Sequence, residues 1–197
     1  MIVVRFRHFV LLASAERYRP AFLYGRPDAI SAFAKEDTMG EIAKRVVNIE
    51  ELKLERFTKG DRFEWTGAKV GPLLGARDLG YSYDIVPPGK RACPFHSHRA
   101  EEEMFFIVRG SGTLRYGDET RKIRAGDIIC CPTGGPETAH QIVNDSDAEL
   151  AYLSISTMMP AEICEYPDSK KIGAFAEGFR HMTRPEHHLD YWTDETA

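Results

Sequence analysis

The stretch Gly89-Lys-Arg-Ala-Cys-Pro-Phe-His96-Ser-His98-Arg-Ala-Glu-Glu-Glu103-Met-Phe-Phe-Ile-Val-Arg-Gly110 decides how the rest of the chain is read. In a strand, residues i and i+2 share a face, so His96 and His98 project the same way. A turn at 99–102 leads to Glu103, which opens the next strand with Phe105 and Ile107 on its own face. Two imidazoles and one carboxylate are thereby aimed at one point. That donor set suits a divalent first-row metal: Mn, Fe, Co, Ni or Zn. Within Glu101-Glu102-Glu103, Glu103 is the expected ligand, because its face also carries the apolar residues of the strand.

A second segment joins the first. Gly126-Asp127 reads as a turn, Pro132 ends a strand, and His140 begins another with Ile142 and Asn144 on its face. His140 can supply a third imidazole. Around these segments the chain reads as short strands separated by turns. Leu79, Tyr81, Tyr83 and Ile85 alternate with Gly80, Ser82 and Asp84 before the Pro87-Pro88-Gly89 break. Strands follow at 103–109, 113–116, 121–124, 128–131, 140–144 and 150–157, divided by Gly110-Ser111-Gly112, Gly117-Asp118, Ala125-Gly126-Asp127 and the loop 132–137. Spacings of roughly 8–12 residues indicate a sandwich or small barrel.

The two segments resemble the paired motifs of the cupin superfamily. The first pattern, G-x5-H-x-H-x(3,4)-E-x6-G, fits from His96 to Gly110, with one extra residue between Gly89 and His96. The second, G-x5-P-x-G-x2-H-x3-N, fits Gly126, Pro132, Gly134, His140 and Asn144, with five residues instead of two before His140. The resemblance covers about residues 50–157. It implies an all-β double-stranded β-helix, a jelly-roll barrel, holding one divalent ion through His96, His98, Glu103 and His140. Three neutral imidazoles and one carboxylate would leave the ion a net charge of about +1, with positions open to water, an anion or dioxygen. The short single-domain arrangement is similar to cupins described as sugar-phosphate isomerase-like or mannose-6-phosphate isomerase-like. That implies an enzyme on a small polar substrate. An iron-dependent dioxygenase and a non-catalytic module binding a small ligand are the alternatives.

Other features bound this reading. The 197 residues carry 26 Lys+Arg against 30 Asp+Glu, a net charge of −4, so no global attraction for nucleic acid or an anionic membrane is expected. Apolar runs such as Met104–Val108 stop at five residues, far below the ~18 of a membrane helix. Cys93, Cys130, Cys131 and Cys164 form no C-x-x-C pair and read as small buried hydrophobes in a reducing cytoplasm. Met104, Phe106 and Val108 make the second face of their strand apolar too, so it must be covered, by the chain's own extensions or in a homodimer. Tyr81, Tyr83 and Tyr152 read as core aromatics, His181, His187 and His188 as a solvated tail, and Lys90, Arg91 and Arg99 as flanking charges within reach of a phosphate.

The expected organisation is an N-terminal extension over 1–45, the barrel over 46–160 and an irregular tail over 161–197. Residues 1–27 carry five Arg and one Glu around a five-residue apolar run, too short for a secretory signal. Translation from Met39 is the competing account of that segment. Thr38-Met39-Gly40-Glu41 has the form of a capping box, and Ile42, Val46 and Ile49 follow at helical spacing, which predicts a short helix.

Overall fold

The computed structural model describes residues 41–195; the chain through Gly40, with Thr38, Met39 and Gly40 of the capping-box stretch, lies outside them. Thirteen strands are described: β1 (Glu55–Lys59), β2 (Phe63–Lys69), β3 (Leu79–Val86), β4 (Ser97–His98), β5 (Glu103–Arg109), β6 (Ser111–Tyr116), β7 (Glu119–Arg124), β8 (Ile128–Cys131), β9 (His140–Val143), β10 (Leu150–Thr157), β11 (Ala161–Tyr166), β12 (Lys171–Ala176) and β13 (Phe179–Thr183). One short helix, α1 (Val70–Leu74), ends at Gly75 in the left-handed conformation. The strands form three antiparallel sheets, in orders β1-β2-β3-β10-β5-β8, β13-β12-β11-β4 and β7-β6-β9. This is the all-β double-stranded β-helix expected from the strand spacing and motifs. Among the described residues no helix is long and apolar enough to cross a membrane.

The barrel interior follows from period-2 alternation. Trp65, Val86, Phe105, Ile107, Leu114, Ile123, Ile129, Cys131, Ile142, Leu150 and Tyr152 form one buried cluster. Cys130, adjacent to Cys131, points outward and is exposed. Gly110 turns the chain from β5 into β6 with φ +81°, and a Cβ there would run into the backbone of Glu149 and Leu150. Only glycine combines that backbone angle with that close approach.

On β3 the alternation faces the opposite way from a simple surface strand. Tyr81, Tyr83 and Ile85 turn outward, where they pack with Val47, Leu52, Leu54, Leu74, Val108 and Leu153. Ser82 and Asp84 turn into the barrel with Val86. The chain's own residues 47–54 therefore cover part of the outer sheet face that Val108 shares. Phe106 and Ile128, paired across β5 and β8, remain 36% and 70% exposed.

Two expectations are corrected. The short helix over Ile42, Val46 and Ile49 is instead a pair of 3-10 turns, Glu41–Arg45 and Ile49–Glu51, with Ile42 and Val46 exposed. Asn48 breaks the run by capping the second turn with its side chain, and Val47 is the residue that packs inward. The irregular tail expected from residue 161 is ordered as β11–β13 up to Thr183. Glu162, Cys164 and Tyr166 alternate inward on β11 against exposed Ala161 and Ile163, a period-2 strand whose buried set includes a glutamate. Irregular structure begins beyond β13, and His181, His187 and His188 are exposed.

Candidate metal centre

His96 and His140 are opposed across a backbone bridge: the N–H of each donates to the carbonyl of the other, at 3.2 and 2.8 Å. One residue further on, Ser97 and His98 pair on their other side with Glu165 and Cys164 of β11. The two histidines thus sit where sheets meet from both sides, and Glu103 enters from the six-stranded sheet. All three imidazoles are buried.

All three rings turn Nδ1 away from Glu103. Nδ1 of His96 lies 2.9 Å from the carbonyl oxygen of Pro94, and Nδ1 of His140 lies 3.2 Å from that of Thr138. Nδ1 of His98 faces Cys164 Sγ at 3.5 Å. Each Nε2 consequently turns to Glu103, whose Oε2 lies 2.7 Å from His140, 3.4 Å from His98 and 3.7 Å from His96. Outward hydrogen bonds at Nδ1 are how ligating histidines are held in the tautomer that leaves Nε2 unprotonated. His98 Nε2 is buried without a hydrogen-bond partner. An orphaned ring nitrogen beside a carboxylate, in a ring of two further imidazoles, fits a cation.

The electrostatics agree. Burial pulls His96 down to about 4, keeping that ring neutral against the pull of Glu103. Burial pushes Glu103 up, yet the hydrogen bonds from His140 and the approach of His98 hold its carboxyl well below the usual range. Burial also opposes charge on His98, but Cys164 and the Glu103 carboxylate outweigh it and raise this ring to about 11. Positive charge is thus disfavoured on His96 and favoured on His98, beside the Glu103 carboxylate. His96, His98, Glu103 and His140 converge closely enough to hold one metal ion.

Two of the three flanking charges are directed elsewhere. Lys90 donates to the carbonyl of Asp61 at 2.6 Å, and Arg99 forms an ion pair with Glu165. A groove of about 610 Å³ lined by Ser111, Arg121, Lys122, Arg124, Asp127 and Asp145 contains none of the four converging residues.

The interior wall beside Glu103 was not legible in the sequence as part of a site. Register places Ser156 opposite Glu103, Ser154 opposite Phe105, and Lys69 opposite Ser82. Asp84 Oδ2 accepts from Ser82 at 2.6 Å and from Ser154 at 3.1 Å, and Gly67 leaves room for its other oxygen, which a Cβ there would meet at 2.5 Å. The available signal was the polar half of the β3 alternation, which reads as solvent-facing unless the strand belongs to a barrel.

Burial raises the pKa of Asp84 against these two hydroxyl bonds, with a further push from Glu103. An acid whose folded-state pKa is raised holds its proton more tightly when folded, so stability falls as pH rises through that value. Asp84→Asn removes the charge and keeps an oxygen for both serines. It is expected to melt higher than the parent above neutral pH, with the difference shrinking as pH falls through the acid range. Thermal melts across pH check this; a difference independent of pH contradicts it.

The family described as Cupin domain matches residues 82–156. An oxalate-binding protein of Thermotoga maritima is 27% identical over 74 residues, 38% of this chain and 58% of that protein. The chain spans just over half the length of the curated relatives it matches. A protein of Acidithiobacillus ferrooxidans provisionally named as a sugar phosphate isomerase has the same fold, with TM-score 0.69 and 23% identity, covering 76% of this chain and 97% of that one. A sugar phosphate isomerase of Silicibacter pomeroyi from the cupin superfamily gives 0.65 and 20%, covering 74% and 97%. The motifs, the barrel and the domain match agree: residues 82–156 carry a cupin domain.

Proposed function

We propose that His96, His98, Glu103 and His140 hold one divalent ion and that the protein is a metal-dependent enzyme on a small polar substrate, a sugar or sugar phosphate, with isomerase-like chemistry. The observation that carries this reading is the orphaned His98 Nε2 among three inward ring nitrogens, next to an interior wall of Ser82, Asp84, Ser154 and Ser156. A bound divalent ion would polarise a carbonyl or hydroxyl as a Lewis acid. The chain's own groups supply the rest: the serine hydroxyls hydrogen-bond a polyol, and Asp84 exchanges a proton with a substrate hydroxyl. The fold likeness to sugar phosphate isomerases is in keeping with that substrate class.

The test is turnover. Protein with measured metal content is incubated with aldose and ketose phosphates, and products are followed by NMR beside a Glu103→Gln variant. Interconversion by the parent, lost in the variant by at least a hundredfold, supports the reading. A second reading, binding of a small carboxylate without turnover, is favoured by the oxalate-binding relative. Saturable oxalate binding with no product from any sugar phosphate would replace the first reading by the second. Oxygen consumption dependent on iron would replace both. The homodimer suggested by the exposed Phe106 and Ile128 is part of the same proposal, and sedimentation of the purified protein tests it.

A further inference from the structure

Glu162 on β11 lies outside the stretch matched by the cupin family, and its side chain is fully buried. Among the described contacts the basic group that approaches it is His98 Nδ1, at 4.0 Å. Its two oxygens instead accept three consecutive backbone N–H groups: Arg99 at 2.8 Å, Ala100 at 3.0 and 3.3 Å, and Glu101 at 2.6 Å. Successive amides converging on one anion make a nest, and partial charges of peptide groups stabilise a buried carboxylate well. That nest is the turn joining β4 to β5, the covalent link between His98 and Glu103. The same carboxylate lies 4.0 Å from His98 Nδ1, alongside Cys164 Sγ. His98, Glu162 and Cys164 together have the composition of a second metal site. With both Glu162 oxygens occupied by N–H donors, the trio serves as scaffold instead.

We infer that Glu162 is a positioning residue of the metal centre: it clamps the turn 99–101, fixing the placement of His98 relative to Glu103, and keeps the His98 ring turned with Nε2 inward. The inference rests on the reading that the four converging residues hold a metal. The clamp explains why a buried acid is placed on β11, where an apolar residue of similar size would pack without need of partners. It also places the spacing residue on the strand beside His98: Glu162 lies on β11, which pairs with β4 in the four-stranded sheet.

The experiment compares the parent with Glu162→Gln, Glu162→Asp and Leu54→Ala, the last a packing control on the outer face. Two quantities are read: hydrogen exchange of the residue 99–101 amides in metal-free protein, and the affinity for added Co(II) from its absorption spectrum. Glu162→Gln is expected to speed exchange at those amides by at least about tenfold and to weaken Co(II) about ten- to hundredfold, the usual effect of removing an outer partner of a ligand. Glu162→Asp, shorter by one methylene but still anionic, recovers part of both, and it carries the test if the glutamine variant does not fold. Leu54→Ala matches the parent at the turn and in affinity. Faster exchange with unchanged Co(II) affinity, or unchanged exchange, overturns the inference while leaving the metal reading intact. Failure of the parent itself to bind Co(II) overturns the metal reading and the inference with it, an outcome distinct from the other two.

Discussion

The double variant His96→Ala/His140→Ala is expected to lose its metal outright, from about one ion per chain to under about a tenth, while retaining its strand spectrum. Two of the four donors disappear, and a site reduced to His98 and Glu103 falls below the ligand number that holds a first-row ion against water. The fold should survive because the bridge between residues 96 and 140 is made by backbone atoms, which alanine keeps. Some stability is lost all the same. Glu103 surrenders the 2.7 Å hydrogen bond to His140, and a buried carboxylate left short of partners costs on the order of 1–3 kcal/mol. Elemental analysis of protein purified without added metal, and again after reconstitution, measures the result. A parent that takes up none of Mn, Fe, Co, Ni or Zn, or a variant that keeps its ion, refutes the assignment.

Ile107→Ala is the substitution expected to cost most stability. Ile107 is 0% exposed, sits in the middle of the interior cluster, and lies on the same face of β5 as Glu103. Removing three carbons from such a position forfeits their burial and leaves a cavity that Val86, Leu114 and Tyr152 cannot close without moving the barrel wall. The expected loss is about 3–4 kcal/mol. For a domain of this size that lowers the melting temperature by about 10 °C. Because β5 carries both this residue and the proposed ligand Glu103, metal affinity is expected to drop as well, though by less than in the double variant. Melting followed by circular dichroism decides it; a shift under about 2 °C would mean the site is far more plastic than its packing indicates.

Much of this was present in the residues themselves. The His-x-His pair, Glu103 and His140 were readable as one donor set because strand period and turn placement determine facing locally. Seven strand positions between 79 and 157 followed from the same alternation. What escaped detection depended on partners far along the chain. Ser82 and Asp84 looked like the wet side of β3, since nothing local says that a barrel will close over them and that residues 47–54 will cover Tyr83. Glu162 was hidden for the same reason: a glutamate in a polar-looking segment is ordinarily solvated, and only the amides of residues 99–101 explain its burial. The N-terminal helix failed through a local contest, because Asn48 satisfies an N–H with its side chain where a continuous helix would need the residue in the ladder.

The position of β10 bears on how the chain reaches this state. It pairs with β3 on one side and β5 on the other, so until it docks both strands present bare rows of N–H and C=O groups. The hairpins β1–β2 and β6–β7 can form early from neighbours in sequence, but the largest sheet stays split in two while residues 150–157 are undocked. Assembly is therefore governed by a late, long-range closure, the type of step that slows β-rich chains and leaves them open to association with one another. Dilute, cool refolding should accordingly return more native protein than refolding at high concentration.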